Sequence, residues 1–309
     1  MGDARGNTQG RLVDVDFSSL TQLEGGWSGQ TFLAEAAGER SVVRVYPPGG
    51  RGEAAAEIDA AVLRLVRGLV PVPEVLEVRP ARPEADQPGL LVTSFLPGIR
   101  GDQLLATLDA AGLAEVGATL GGLVATLGGM PMLRTGPFVD PQLAIGDFGL
   151  DGLSEYVETR LPELGHLSPE EIDGLREVAL DAQVLLDSVP RACLVHSDLN
   201  PKNLLLDPDT LALTGVLDWE FAHAGHPFTD LGNLLRFDRA PAFAEAVLTA
   251  YAALRGTPPE EALALARAAD LWALVDLAAR RAANPVADRA DRLLRAIVRE
   301  RDPGVPAPD

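Results

Sequence analysis

The chain has 309 residues, of which 47% are hydrophobic and 23% charged, an ordinary globular composition with length enough for two regions and a sizeable core. A formal net charge of -19 argues against a nucleic-acid binder, which would present a basic face, and leans toward attraction of cationic ligands. The single cysteine, Cys193, excludes an intramolecular disulfide; the N-terminus has no apolar signal core, and no uninterrupted apolar run reaches the roughly 18–20 residues of a membrane span, so a cytoplasmic protein with no membrane or nucleic-acid partner is expected.

The first ten residues are polar and glycine-rich and are expected to be loose. Residues 20–32, LTQLEGGWSGQTF, set Gly25, Gly26 and Gly29 between short apolar pieces and read as a hairpin with a glycine-rich tip, followed by an alternating strand over 41–46. Such a tip lets backbone N–H groups approach phosphate oxygens without Cβ interference; a plain turn is the competing reading. Over 53–66 the apolar residues Ile58, Val62, Leu65 and Val66 recur at helical spacing, with Glu57 beside the stripe. Arg44 on the strand and Glu57 on the helix are able to pair and hold an anionic ligand. A solvated helix face is the alternative for Glu57, and Glu53 and Asp59 compete for the same role.

A short strand over 75–78, a proline-rich loop and an apolar strand over 90–95 follow, ending at Leu96-Pro97-Gly98, which reads as a boundary between residues 1–96 and 97–309. Residues 101–132 carry Leu113, Val116, Leu120, Leu123, Val124 and Leu127 on one side of a helix; its glycines require close packing against a neighbour to offset their cost. The 135–152 stretch, interrupted by Pro and Gly, is expected to be a lid or the edge of a site. Helices are expected over 153–161, from the cap-like Ser168-Pro169-Glu170-Glu171 to 186, and over 240–254, 259–281 and 285–301.

Between these helices lies the most informative block, residues 193–233, CLVHSDLNPKNLLLDPDTLALTGVLDWEFAHAGHPFTDLGN. Asp198 follows the first apolar run, Asn203 directly precedes the second, and Asp218 ends the third. Two oxygen donors at the ends of adjacent strands suit Mg²⁺, a hard cation that shares its remaining positions with water and nucleotide phosphates. Asp198 is then placed to accept a proton from an attacking hydroxyl.

HSDLNPKN followed by LDWE resembles the catalytic loop and metal-binding segment of the aminoglycoside phosphotransferase family, the small-molecule branch of the protein-kinase-like fold. The resemblance runs along most of the chain. It implies an α+β, bilobal architecture with a small β-rich N-lobe and a larger helical C-lobe, and transfer of the γ-phosphoryl group of ATP (or GTP), with Mg²⁺, to a small-molecule hydroxyl. Asp198 would position and deprotonate that hydroxyl, and Asn203 and Asp218 would hold Mg²⁺. Gly26, Ser28 and Gly29 would cover the phosphates, Arg44 would pair with them, and Glu57 would be its helix partner. The Ser94 carbonyl and Leu96 N–H would meet the adenine edge, with Thr93 just inside the pocket. His196 is assigned a structural part, bridging the loop backbone, and Asp230 braces the loop through N–H groups. Lys202 either touches the transferring phosphoryl group or is solvated.

Departures from the wider kinase pattern narrow the acceptor. Ser197 stands where protein kinases have Arg, DWE replaces DFG, and 218–230 is too short for an activation loop, so the acceptor is expected to be a small molecule and not a protein. Arg44 replaces the usual Lys with a planar fork. An antibiotic is the first expectation for the acceptor, with a choline-, homoserine- or sugar-type metabolite next; a non-catalytic nucleotide-binding protein is the competing class. Glu220, Tyr251, Asp270, Trp272 and Asp276 are the candidates for lining the acceptor pocket. A helix–helix salt bridge or a solvated face is the alternative for Asp270 and Asp276. The protein is expected to be a monomer or homodimer.

Overall fold

A computed structural model describes residues 19–23, 30–36, 38–47, 51–237 and 240–306. The expected loose start, 1–10, and the glycine-rich tip with Gly26, Ser28 and Gly29 lie outside the described residues. The chain divides into two compact units, one made of the described residues up to Ala56 together with Val75–Phe95, the other of Glu57–Glu74 with Leu96–Asp309. Residues 57–74 go with the second unit, where the Pro71 carbonyl accepts the Val216 N–H at 2.8 Å.

The first unit is a five-stranded antiparallel sheet of β1 (Ser19–Gln22), β2 (Gln30–Ala36), β3 (Glu39–Tyr46), β4 (Val75–Arg79) and β5 (Gly89–Ser94), in the order β1-β2-β3-β5-β4. Ala34, Val43, Leu90 and Val92 form its core, with Phe32 and Val45 partly buried beside them. β5 lies between β3 and β4 and is buried from Gly89 to Thr93, which accounts for its continuous apolar run. The helix after β3 is α1 (Ala55–Val66).

The second unit is mainly helical. In chain order it contains β6 (Ile99–Arg100), α2 (Gly101–Leu105), α3 (Ala110–Leu127), β7 (Pro131–Met132), β8 (Gly136–Pro137), α4 (Leu153–Arg160), α5 (Pro169–Asp187), β9 (Ala192–Val195), β10 (Leu204–Leu206), β11 (Leu213–Val216), β12 (His223–Gly225), α6 (Thr229–Leu235), α7 (Pro241–Arg255), α8 (Pro259–Ala279) and α9 (Pro285–Glu300). Two small sheets, β11-β10-β6 and β7-β9-β12-β8, frame the 193–233 block. Ser168 and Glu171 form a full capping box at α5, the motif that the sequence signalled.

The single helix expected over 101–132 is two. Thr107 Oγ1 donates to the Leu104 carbonyl as α2 closes, and the Asp109 carboxylate accepts the Gly112 N–H at 2.9 Å, starting α3 afresh. α3 is long and apolar enough by length and composition to cross a membrane, with a mean hydropathy of 1.5 over its 18 residues, although Glu115 interrupts the apolar run. Its apolar residues Val116, Leu120, Leu123, Val124 and Leu127 are buried inside the protein. Glycine is required where α3 meets α7, because a Cβ at Gly117 would lie 2.7 Å from the Phe243 carbonyl oxygen.

Candidate functional site

Strand β9 is buried throughout and delivers the chain to His196, which is fully buried. There the backbone turns sharply, with Ser197 at φ 67°, a left-handed conformation that costs a non-glycine residue energy and needs outside support. Asp230, in the first turn of α6, gives that support: its carboxylate accepts the His196 N–H at 2.9 Å and the Ser197 N–H at 2.8 Å. The imidazole of His196 crosses to the neighbouring segment, where Nε2 donates to the Leu217 carbonyl at 2.8 Å and Nδ1 accepts the Asp198 N–H at 3.3 Å. These two partners fix the neutral Nε2–H tautomer. Trp219 packs on the ring, 4.6 Å between centroids, while its own Nε1–H donates to the Val216 carbonyl.

The carboxylate of Asp198 is oriented by two amides. Asn200 Nδ2 donates to Oδ1 at 2.7 Å and Asn203 Nδ2 to Oδ2 at 2.8 Å; Lys202 Nζ stands 3.6 Å from Oδ2. Asn203 Nδ2 also donates to the Asp198 main-chain carbonyl, so both of its protons are used and its Oδ1 is turned away, accepting no hydrogen bond among the described residues. The Asn203 carbonyl accepts the Leu217 N–H at 2.8 Å, and Leu204 is paired with Val216 across β10 and β11. That register brings Asp218 to the same end of the strand pair as Asn203. Asp218 is the second strained residue of the site, left-handed at φ 63° and ψ 58°.

Burial sets the electrostatics around the loop. It pushes the Asp230 carboxyl up from the usual carboxylate range, against the pull of the two N–H groups whose hydrogen bonds the carboxylate accepts. It also lowers His223, takes His226 down to about 4, and raises the Cys193 thiol to about 12, which leaves that thiol unreactive at neutral pH.

The other expected residues are placed as follows. Arg44 lies on β3 opposite Leu91, its guanidinium carbon 5.5 Å from the Tyr46 ring centre; Thr93 is buried on β5, and Ser94 and Leu96 are half-buried. On α1 the buried carboxylate is Asp59, whereas Glu57 is half-buried; Glu53, in the turn before the helix, is exposed. Glu220 is buried in the turn Trp219–Phe221. Tyr251 is fully buried against Phe228, its hydroxyl without a hydrogen-bond partner among the described residues. Asp270 is buried in an ion pair with Arg236, Asp276 is held by Arg160 and Arg280, and Trp272 stacks on Tyr156 at 4.7 Å. Asp270 and Asp276 thus take the salt-bridge alternative.

Two residues of the loop's surroundings were not singled out in the sequence. Asn200 carries a local signal, an Asn-Pro pair at a turn, and its Oδ1 accepts the Lys202 N–H. Arg236 carries none, since its partner is 34 residues away.

Residues 19–264 match the sequence profile described as the phosphotransferase enzyme family, APH. Among curated proteins, acyl-CoA dehydrogenase family member 10 of Mus musculus is 24% identical over 219 residues, 69% of this chain, and family member 11 of the same organism is 43% identical over 53 residues, 17% of this chain. The matches span 20% and 7% of the length of those two relatives. Among solved structures, aminoglycoside phosphotransferase APH(4)-Ia superposes with a TM-score of 0.65 at 21% identity, covering 93% of this chain and 94% of that one. The GDP complex of aminoglycoside 2'-phosphotransferase-IIIa gives 0.64 at 18%, covering 94% and 89%. At such identities the likeness carries the fold, which is protein-kinase-like. The family match extends over well more than half of the sequence, and the chain belongs to the phosphotransferase enzyme family.

Proposed function

We propose that the protein transfers the γ-phosphoryl group of ATP or GTP to a hydroxyl of a small molecule, with Asp198 as the catalytic base. The observation that carries this reading is the Asp198 carboxylate, held at both oxygens by neutral amides and still 24% exposed. An acceptor hydroxyl brought against it gives up its proton to the carboxylate while its oxygen forms the new O–P bond; the bond from γ-phosphorus to the bridging oxygen breaks, and the diphosphate leaves. Lys202, 3.6 Å from the same carboxylate, has the charge and reach to meet the transferring group. Because a reaction of this kind makes little covalent demand on the protein, positioning and charge stabilisation supply most of the rate.

The residues present fit Mg²⁺. Among the described residues no cluster of three or more His, Cys, Asp or Glu side chains stands ready for a metal. Asn203 Oδ1, turned outward by its amide protons, and the Asp218 carboxylate are instead two hard oxygens at one end of a strand pair, the partial shell that Mg²⁺ accepts when phosphates and water complete it. When bound there, Mg²⁺ would neutralise phosphate charge.

For the nucleotide, the proposed residues are Gly26, Ser28 and Gly29 at the tip, Arg44 at the phosphates, and Thr93, Ser94 and Leu96 at the base. As the helix carboxylate, Asp59 is favoured over Glu57 by its burial, since a buried charge requires a counter-charge. The similar solved structures include a complex with ADP and hygromycin B and one with GDP, which supports a nucleotide and a hydroxylated acceptor here.

An antibiotic acceptor is the first form of the proposal. The second, a metabolite hydroxyl, is favoured by a specific observation: Asp270 and Asp276, the carboxylates expected to line the acceptor pocket, are already met by arginines and do not await a polycation. Incubating the protein with Mg²⁺, ATP and a panel of hydroxylated antibiotics and metabolites, read by mass spectrometry for an added phosphoryl group, tests both. An adduct on a metabolite and none on an antibiotic selects the metabolite form; no adduct on any compound, with nucleotide binding indifferent to Mg²⁺, defeats the enzyme reading.

A further inference from the structure

Arg236 is a buried cation just beyond the last residue of α6, the short helix whose first turn carries Asp230. Its Nε donates to the two Asp270 carboxylate oxygens at 3.1 and 2.9 Å, and its Nη2 to Oδ1 at 2.6 Å. Asn233, one turn earlier, adds a donation from Nδ2 to the same Oδ1 at 3.2 Å. Asp270 comes from α8, and the approach of α6 to α8 depends on Gly232. A Cβ there would lie 2.9 Å from the Asp270 Cβ and would run into the Ala266 carbonyl.

A buried ion pair is weak evidence for a stabilising role, because desolvation offsets its attraction and an apolar pair of similar volume stabilises as well. What such a pair does supply is fixed geometry. α6 is tied at one end to the backbone N–H groups of His196 and Ser197 through Asp230 and at the other to α8 through Arg236 and Asn233. We propose that the Asp270–Arg236–Asn233 cluster is a positioning unit that clamps α6 to α8, so that Asp230 presents the catalytic loop in one conformation. Burial opposes the charge of Arg236; Asp270 outweighs it, and Asp198 adds to that push, so the guanidinium is within electrostatic reach of the loop it helps to hold. The effect on turnover rests on the role proposed above for Asp198, whereas the effect on the loop does not.

Two variants test the clamp by different routes. Gly232→Ala pushes α6 and α8 apart with every charge kept, and Arg236→Lys keeps the charge but loses the planar fork. Hydrogen exchange, followed by mass spectrometry, should show the 196–203 amides exchanging about tenfold faster than in the wild type in both, with the 41–46 amides of the five-stranded sheet unchanged. Turnover should fall roughly 10- to 100-fold with ATP affinity held within about twofold, the signature of misplacement and not of lost binding. Exchange at 196–203 equal to wild type, or a rise of the same size in the sheet, overturns the clamp. If Gly232→Ala does not fold, Arg236→Lys decides. A wild type that phosphorylates nothing removes the proposed function, and the exchange result still decides the clamp.

Discussion

Carboxylates are held in two ways in this protein. Around the 196–203 loop, Asp198 takes its hydrogen bonds from the amides of Asn200 and Asn203, and Asp230 from two backbone N–H groups. On α8, Asp270 is met by Arg236, and Asp276 by Arg160 and Arg280. Neutral donors orient a carboxylate without cancelling its charge; a guanidinium does both. The carboxylate proposed to take up a proton, Asp198, is thus oriented by neutral amides, with Lys202 3.6 Å away, whereas the arginines join Asp270 and Asp276 of α8 to other parts of the chain.

The largest effect should come from breaking the helix pairs. Asp270→Ala leaves Arg236 buried without its counter-ion and should cost about 3–5 kcal/mol in denaturant unfolding. Next in size should be a pH-dependent contribution from a histidine. His226 donates from Nε2 to the Leu186 carbonyl and is held by burial down to about 4, against 6.5 in an unfolded chain. Between these values the native state binds fewer protons than the unfolded state, so the stability is fully present above pH 6.5 and is lost as pH falls toward 4, by up to roughly 3 kcal/mol. Unfolding of wild type and His226→Gln across that range checks it: the variant should show the shallower slope.

Smaller still should be Asp230→Asn, which keeps one acceptor for the two N–H groups and turns an amide toward the other; about 1–3 kcal/mol is expected, with a loss of turnover out of proportion to it. Smallest should be Asp276→Asn, at under about 1 kcal/mol, since Arg280 is 57% and Asp276 29% exposed. If Asp276→Asn proved as damaging as Asp270→Ala, the line drawn here between buried and half-exposed pairs would be wrong.

How far these features can be read in the sequence follows the same division. Asp198, Asn203 and Asp218 are set by local spacing and by strand pairing over a dozen residues, and the capping box at Ser168 lies within four residues; each is legible because the partners are close in the chain. The end of α2 was missed because the cap at Asp109 sits inside a run of helix formers with unbroken apolar periodicity. Asp59 and Glu57 are two residues apart on one helix, and a stripe of Ile58, Val62 and Leu65 does not say which carboxylate is buried. Asp270 and Arg236 are not recognisable as partners, since only the packing of α6 on α8 at Gly232 brings them together.

The most direct test of phosphoryl transfer by this chain is single-turnover transfer from Mg²⁺-ATP by Asp198→Asn, with ATP affinity measured alongside. Asparagine keeps the shape of the site but cannot take a proton, so transfer should fall roughly 100- to 10,000-fold while ATP binds as in the wild type. Transfer at the wild-type rate by Asp198→Asn would contradict the account.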